Sequence, residues 1–249
     1  MASKIIVDQL EKTGGLLTPL TLPSANATAS QFLQDNGSGV MSWATVTAGF
    51  NSVIVYTVTG AHNWVKSARP AGITKIIIEV QGGGGGGGMH VSDEKYGNNG
   101  AAGGYAKKFI DVSSVTQAVL NVGTGGAGSP TNSAGGDGTS STYLDTAFGG
   151  TNDVKGLLGK GGPYTNNTSM AVGGLGTGGD LNIQGQYGGT GYHSTSSGGD
   201  SQLGRGGRGG HTSRNPPTIA TGYGAGGGGG MNVAATDGAP GIIIIWEYL

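Results

Sequence analysis

Four histidines, two closely spaced arginines, a small set of carboxylates and two long glycine runs are the residues here that could do chemistry. His62, His90, His193 and His211 are scattered, without the spacing that gathers ligands on a metal ion, and each reads as a surface or loop residue. His90 stands close to Asp93 and Glu94, a set able to hold a cation, but GMHVSDEKYGNNG reads more simply as one polar, exposed loop. The runs at 82–88 and 226–230 would suit a phosphate cradle only if Gly-Lys-Ser or Gly-Lys-Thr and a helix followed, and neither does. GRGGRGG, with Arg205 and Arg208, is the spacing of segments that bind single-stranded RNA by charge and stacking. The net charge of −1 and the lack of interleaved aromatics argue against that use. Cleaving a glycan needs paired carboxylates in a groove, whereas Asp and Glu total 14 and are sparse in the glycine-rich part. No catalytic residue, metal or cofactor is expected, and the chain reads as a non-enzyme.

What remains suits recognition. Between the glycine runs lie loops at 89–99, 151–155, 163–170, 187–197 and 211–223. They carry Tyr96, Asn98, Tyr164, Asn166, Asn167, Tyr187, Tyr192, His193, Arg214 and Asn215, the candidate receptor-binding residues. Rigid aromatic area combined with adaptable amides and hydroxyls is the chemistry of antibody paratopes, and it also suits saccharide surfaces.

The elements that must position these loops follow from composition. Glycine supplies 56 of 249 residues, and only seven of them precede residue 73. Oligoglycine has no side chains to bury and the largest entropy to lose, so ordered runs imply backbones packed closer than any Cβ allows. The solution expected is a left-handed three-residue helix, bare backbones side by side as in collagen. A Gly-X-Y period is missing and prolines number 8, so collagen itself is excluded, while 11% charged residues is too few for an ordinary disordered tail. Strands are expected at 51–60, 61–65, 73–81, 109–112, 118–122, 141–144, 181–184 and 242–248, from β-branched and aromatic content. No helical period of any length is legible, so the fold class is all-β. Cysteine is absent, and the longest apolar run, near Ile242, is far short of a membrane span.

Ahead of the glycine-rich part, residues 1–17 carry Ile5, Val7 and Leu10 in rough alternation, as a short strand or single helical turn. Asp35-Asn-Gly-Ser-Gly39 is a hairpin turn, with Phe32 and Leu33 before it and Val40 to Val46 after it. A lone hairpin is marginal in water and must pack on something else.

The stretch LPSANATASQFLQDNGSGVMSWATV resembles the short β-repeat of bacteriophage tail fibre shafts: Leu-Pro, small residues, Gln-x-Leu, Asp-Gly-Ser-Gly, then an apolar residue and Ser-Trp. Its turn is one residue longer than that pattern. The resemblance implies a homotrimer. Residues 70–248 resemble the glycine-rich domain of phage tail fibres and adhesins, through PAGITKIIIEVQGGGGGGG, GGYAKKFIDV, VLNVGTGGAG, GGDLNIQGQYGG and GGGGGMNVAATDGAPGIIIIWEY in that order. That family implies a β-sandwich supporting polyglycine II strings with variable loops between them. Arg205 and Arg208 depart from it, standing where almost pure glycine is usual; they are expected to point outward, and whether they interrupt the packing is left open by the sequence.

Together these readings give three parts: 1–17 as a tail-attachment peptide anchored through Ile5, Val7 and Leu10, 18–50 as a trimeric β-stalk, and 51–249 as a receptor-binding head. The expected location is the virion, as a tail fibre. The expected partners are two further copies, a tail or adaptor protein at the N-terminus, and a host glycan or outer-membrane protein at the loops. Neither nucleic acid nor membrane insertion is expected. The alternative is a purely structural virion fibre or decoration protein.

Overall fold

The computed structural model describes residues 9–10, 20–21, 23–28, 31–35, 40–45, 49–91, 97–164, 169–191, 196–211 and 215–249. They form two compact units, Met1–Gly49 and Phe50–Leu249. The class is all-β. Among the described residues helix is confined to two single 3-10 turns, Lys66–Ala68 and Thr146–Phe148.

In the first unit Gln9–Leu10 pairs antiparallel with Leu20–Thr21, so Leu10 is in a strand, and this pairing crosses the expected boundary at residue 17. Ile5 and Val7 lie outside the described residues. Gln31–Asp35 pairs with Met41–Thr45 in the expected hairpin register, Gln31 opposite Thr45 and Asp35 opposite Met41. Trp43 donates its indole N–H to the Ala25 carbonyl at 2.6 Å, while Phe32, Leu33 and Val40 are exposed.

The second unit is built on a sandwich of two antiparallel sheets. Its strands in chain order are β1 (Phe50–Tyr56), β2 (Gly60–Val65), β3 (Lys75–Gln81), β4 (Tyr105–Asp111), β5 (Gln117–Val122), β6 (Ser141–Leu144), β7 (Asp153–Gly156), β8 (Gly176–Thr177), β9 (Leu181–Ile183) and β10 (Ile242–Tyr248). One sheet runs β8-β7-β6-β5-β2 and the other β9-β4-β3-β10-β1. Period-two alternation sends Ile76, Ile78 and Val80 of β3 and Ile243 and Ile245 of β10 inward. There they meet Trp64, Ala118, Leu120, Val122, Tyr143 and Val154 of the facing sheet. Fully burying one such aliphatic side chain stabilises the fold by about 1.5–3 kcal/mol. All eight expected strands of this unit are present, and β4 starts four residues earlier than expected, at Tyr105. The expected loop at 151–155 runs instead into a strand, β7, whose partners β6 and β8 complete the sheet. Likewise the expected loop at 211–223 ends in a short strand, Thr221–Tyr223, paired with Leu203–Arg205.

The glycine runs extend from the sandwich as a lattice. Gly82 to Gly88 are all buried, as are Gly226 to Gly230. The amides of Gly82, Gly85 and Gly88 donate to one neighbour, at Gly104, Ala101 and Asn98. Those of Gly83 and Gly86 donate to a second, at Thr139 and Gly136, and those of Gly84 and Gly87 to a third, at Ala239 and Thr236. The carbonyls of the same string accept with the same period from three other strings. Gly83 and Gly86 accept from Gly159 and Gly162, Gly84 and Gly87 from Gly126 and Ser129, and Gly85 and Gly88 from Gly227 and Gly230. A bond partner that rotates every residue and returns after three is the signature of a threefold left-handed helix. The Gly82–Gly88 string thus has six neighbours and needs no side chain. A Cβ on Gly85 would overlap the Lys160 carbonyl oxygen, and one on Gly86 that of Ala127.

Candidate functional site

Successive strings run outward from one edge of the sandwich, turn and come back, so their turns collect at the end of the lattice remote from the sheets. The string from Gln81 ends at Met89–His90 and returns through Gly97. The string from β7 turns after Pro163, and the one from β9 turns after Gly189. Further turns follow His211 and Met231. Backbone bonds fix this alignment: Gly88 donates to Asn98, Asn98 to Pro163, Gly188 to Ala171, Gly210 to Gly229 and Gly230 to Gly88. A small parallel sheet of Gly210–His211, Gly230–Met231 and Met89–His90 closes this distal end. The turn between β6 and β7, which includes residues 151 and 152, belongs to the sandwich instead.

Two buried asparagines tie the distal turns together. Asn98 donates from Nδ2 to the Ser169 carbonyl at 2.7 Å and accepts from the Gly191 amide at 2.6 Å. Asn99 donates from Nδ2 to Gly189 O and Ser196 Oγ at 2.9 and 2.8 Å, while its Oδ1 accepts from Gly229 N at 2.8 Å. Each amide links strings that are distant in sequence. This corrects the expectation that Asn98 faces a receptor: its side chain is inside the lattice, because bare glycine backbones at a turn leave polar groups that a buried amide must satisfy.

Of the other candidate residues, Tyr164 is exposed at the distal end and its ring stacks on His90, centroids 6.5 Å apart. Tyr187 is also exposed, on the string itself between Gln186, which pairs with Ala102, and Gly188, which donates to Ala171. Asn215 is half-buried and its Oδ1 accepts from Arg208 Nη2 at 2.8 Å. Tyr96, Asn166, Asn167, Tyr192, His193 and Arg214 lie outside the described residues. Arg205 and Arg208 are exposed, as expected, yet the string is not broken: Gly207 and Gly209 remain buried, and Gly198 still donates to Gly207 and Gly210 to Gly229. Their spacing of three puts both side chains on one edge of a threefold helix.

No curated protein is significantly similar to the chain. The family model described as a glycine-rich domain matches residues 57–248, from the turn after β1 through the closing strand β10, and the protein belongs to that family.

Proposed function

We propose that this protein is a bacteriophage tail fibre adhesin whose distal turns bind a receptor on the host cell surface. One observation carries the reading. Phe50, where the chain enters the sandwich, pairs with Tyr248 at the end of the sheet away from the lattice, while the aromatic- and amide-bearing turns gather at the opposite end. A head delivered from one end and presenting adaptable polar and aromatic tips at the other has the polarity of a receptor-binding tip. Homotrimerisation through Met1–Gly49 goes with this reading, since a two-stranded hairpin with Phe32, Leu33 and Val40 exposed lacks the apolar cover that copies around an axis would supply. Weak contacts at each tip would then be multiplied across copies.

The test is adsorption. Purified full-length protein is added to a panel of bacterial strains, and bound protein and block of phage adsorption are scored. Tyr164→Ala and Tyr187→Ala are expected to weaken binding several-fold with unchanged thermal midpoint. Protein that binds no strain that the phage infects would leave only the structural role. Light scattering at three times 24.5 kDa is the expected mass.

A further inference from the structure

On the flank of the lattice, beside the distal end, lies a cleft of about 700 Å³ lined by Arg205, Arg208, Ser197, Thr218, Ile219 and Thr221. Its two cations are held by the backbone. Arg205 ends a strand and pairs with Thr221, and Arg208 forms a bridge with Ser197. The Arg208 amide donates to Thr218 Oγ1 at 2.8 Å, and the Thr218 amide donates back to Arg208 O at 2.9 Å. Asn215 Oδ1 accepts from Arg208 Nη2 and so aims that guanidinium. Among the described residues no carboxylate is paired with either arginine; the ion pairs there belong to Arg69, Lys107, Lys155 and Lys160. Asp200, the nearby acid, accepts from the Gly206 amide at 2.7 Å and is not part of the lining.

Two guanidinium forks, neither paired with a carboxylate among the described residues, stand three residues apart, about 9–10 Å along an extended backbone, and face a wall of hydroxyls and one strongly exposed aliphatic, Ile219. We propose that this cleft binds an acidic oligosaccharide. Its carboxylate or phosphate groups pair with the arginines, its ring hydroxyls meet Ser197 and Thr221, and an apolar ring face rests on Ile219. Among the described residues the lining has no aromatic ring, so the stacking that holds single-stranded nucleic acid has no platform there. The proposal deepens the adhesin reading by naming a receptor class, but its binding step is independent of any cell.

Titration calorimetry on the full-length protein would use oligogalacturonate, a phosphorylated mannan oligosaccharide, a neutral maltooligosaccharide of equal length and a single-stranded oligonucleotide. The expected result is binding of one or both acidic saccharides, none of the neutral one, and weakening with added salt. Preference between the two acidic probes identifies carboxylate or phosphate as the recognised group. Arg205→Ala and Arg208→Ala should each weaken binding at least tenfold, the double variant should abolish it, and Arg208→Lys should restore only part because the planar fork is lost. Thermal midpoints are expected to stay within about 2 °C, since both side chains are exposed. Equal binding of the neutral probe, binding unchanged in the double variant, no binding of either acidic probe, or preference for the oligonucleotide would each overturn the proposal. Protein that binds cells but neither acidic saccharide removes the cleft and leaves the adhesin reading; the reverse removes the adhesin reading and leaves the cleft.

Discussion

Trp64 donates its indole N–H to the carboxylate of Glu247 at 2.8 Å, joining the two sheets beside the apolar core. Glu247 is fully buried in β10. It also accepts from Ser52 Oγ at 2.5 Å and from Arg69 Nε and Nη2 at 2.8 and 3.0 Å. The closing strand is thereby locked to β1, to β2 and to the 3-10 turn after β2. Four donors on one buried carboxylate satisfy it as fully as its lone pairs allow.

Removing one partner exposes how much this clamp carries. Arg69→Ala leaves a buried charge without its counter-ion and is expected to cost about 3 kcal/mol, the lower end for such pairs because the Arg69 side chain is 27% exposed. Urea unfolding at neutral pH measures it. A loss below about 1 kcal/mol would mean that Trp64 and Ser52 alone hold the carboxylate.

Acid should loosen the same clamp. Burial alone would push the Glu247 carboxyl up, but the donors from Arg69, Ser52 and Trp64 outweigh it and hold the pKa below the ordinary 4.5. A carboxyl with a depressed folded pKa contributes its full stability above its unfolded pKa and loses it as pH falls through the folded value. The thermal midpoint should therefore drop as pH falls below 4.5, and Glu247→Gln should flatten that part of the curve.

The lattice allows a sharper comparison between two glycines. Gly86→Ala drives a methyl into the Ala127 carbonyl and is expected to cost 3 kcal/mol or more, roughly the upper end of overpacking penalties. At Gly136 the nearest atom to a new Cβ is Ala127 N at 3.2 Å, so Gly136→Ala should shift stability by under about 1 kcal/mol. Denaturant midpoints of the two variants decide it; equal losses would contradict the packing described.

Asn99 offers a local readout. Asn99→Ala leaves the Gly229 amide without its acceptor at a buried site, a penalty of about 1–3 kcal/mol. Hydrogen exchange should quicken at Gly229 and in the peptides covering Gly189 and Ser196, while β3 and β10 keep their protection. Uniform loss of protection would show that distal end and sandwich open together.

The strands that could be read from residue types were those with side chains to speak for them. Ile242–Tyr248 and Ser141–Leu144 are dense in β-branched or aromatic residues, and both appear where expected. Asp153–Gly156 has one buried apolar residue, Val154, and is a strand because β6 and β8 flank it, which no local pattern carries. The close packing of the glycine runs followed from their lack of Cβ atoms. Which turns share an end did not, because that depends on hydrogen bonds between strings more than a hundred residues apart, such as Gly85 with Gly227. Asn98 looked like a recognition amide for the same reason. A polar residue between glycines reads as exposed until the backbones around it are known to close.

The rotating bond pattern of the lattice also sets how the protein responds to temperature. Unfolding a conventional core of this length exposes mainly aliphatic surface and raises the heat capacity by about 12–15 cal/mol/K per residue. Unfolding Gly82–Gly88 and its six neighbours exposes mainly peptide groups, whose hydration contributes with the opposite sign. The glycine-rich part is therefore expected to have a shallow, broad stability curve, changing little between cold and warm water, with the curvature of the whole molecule set by its sandwich.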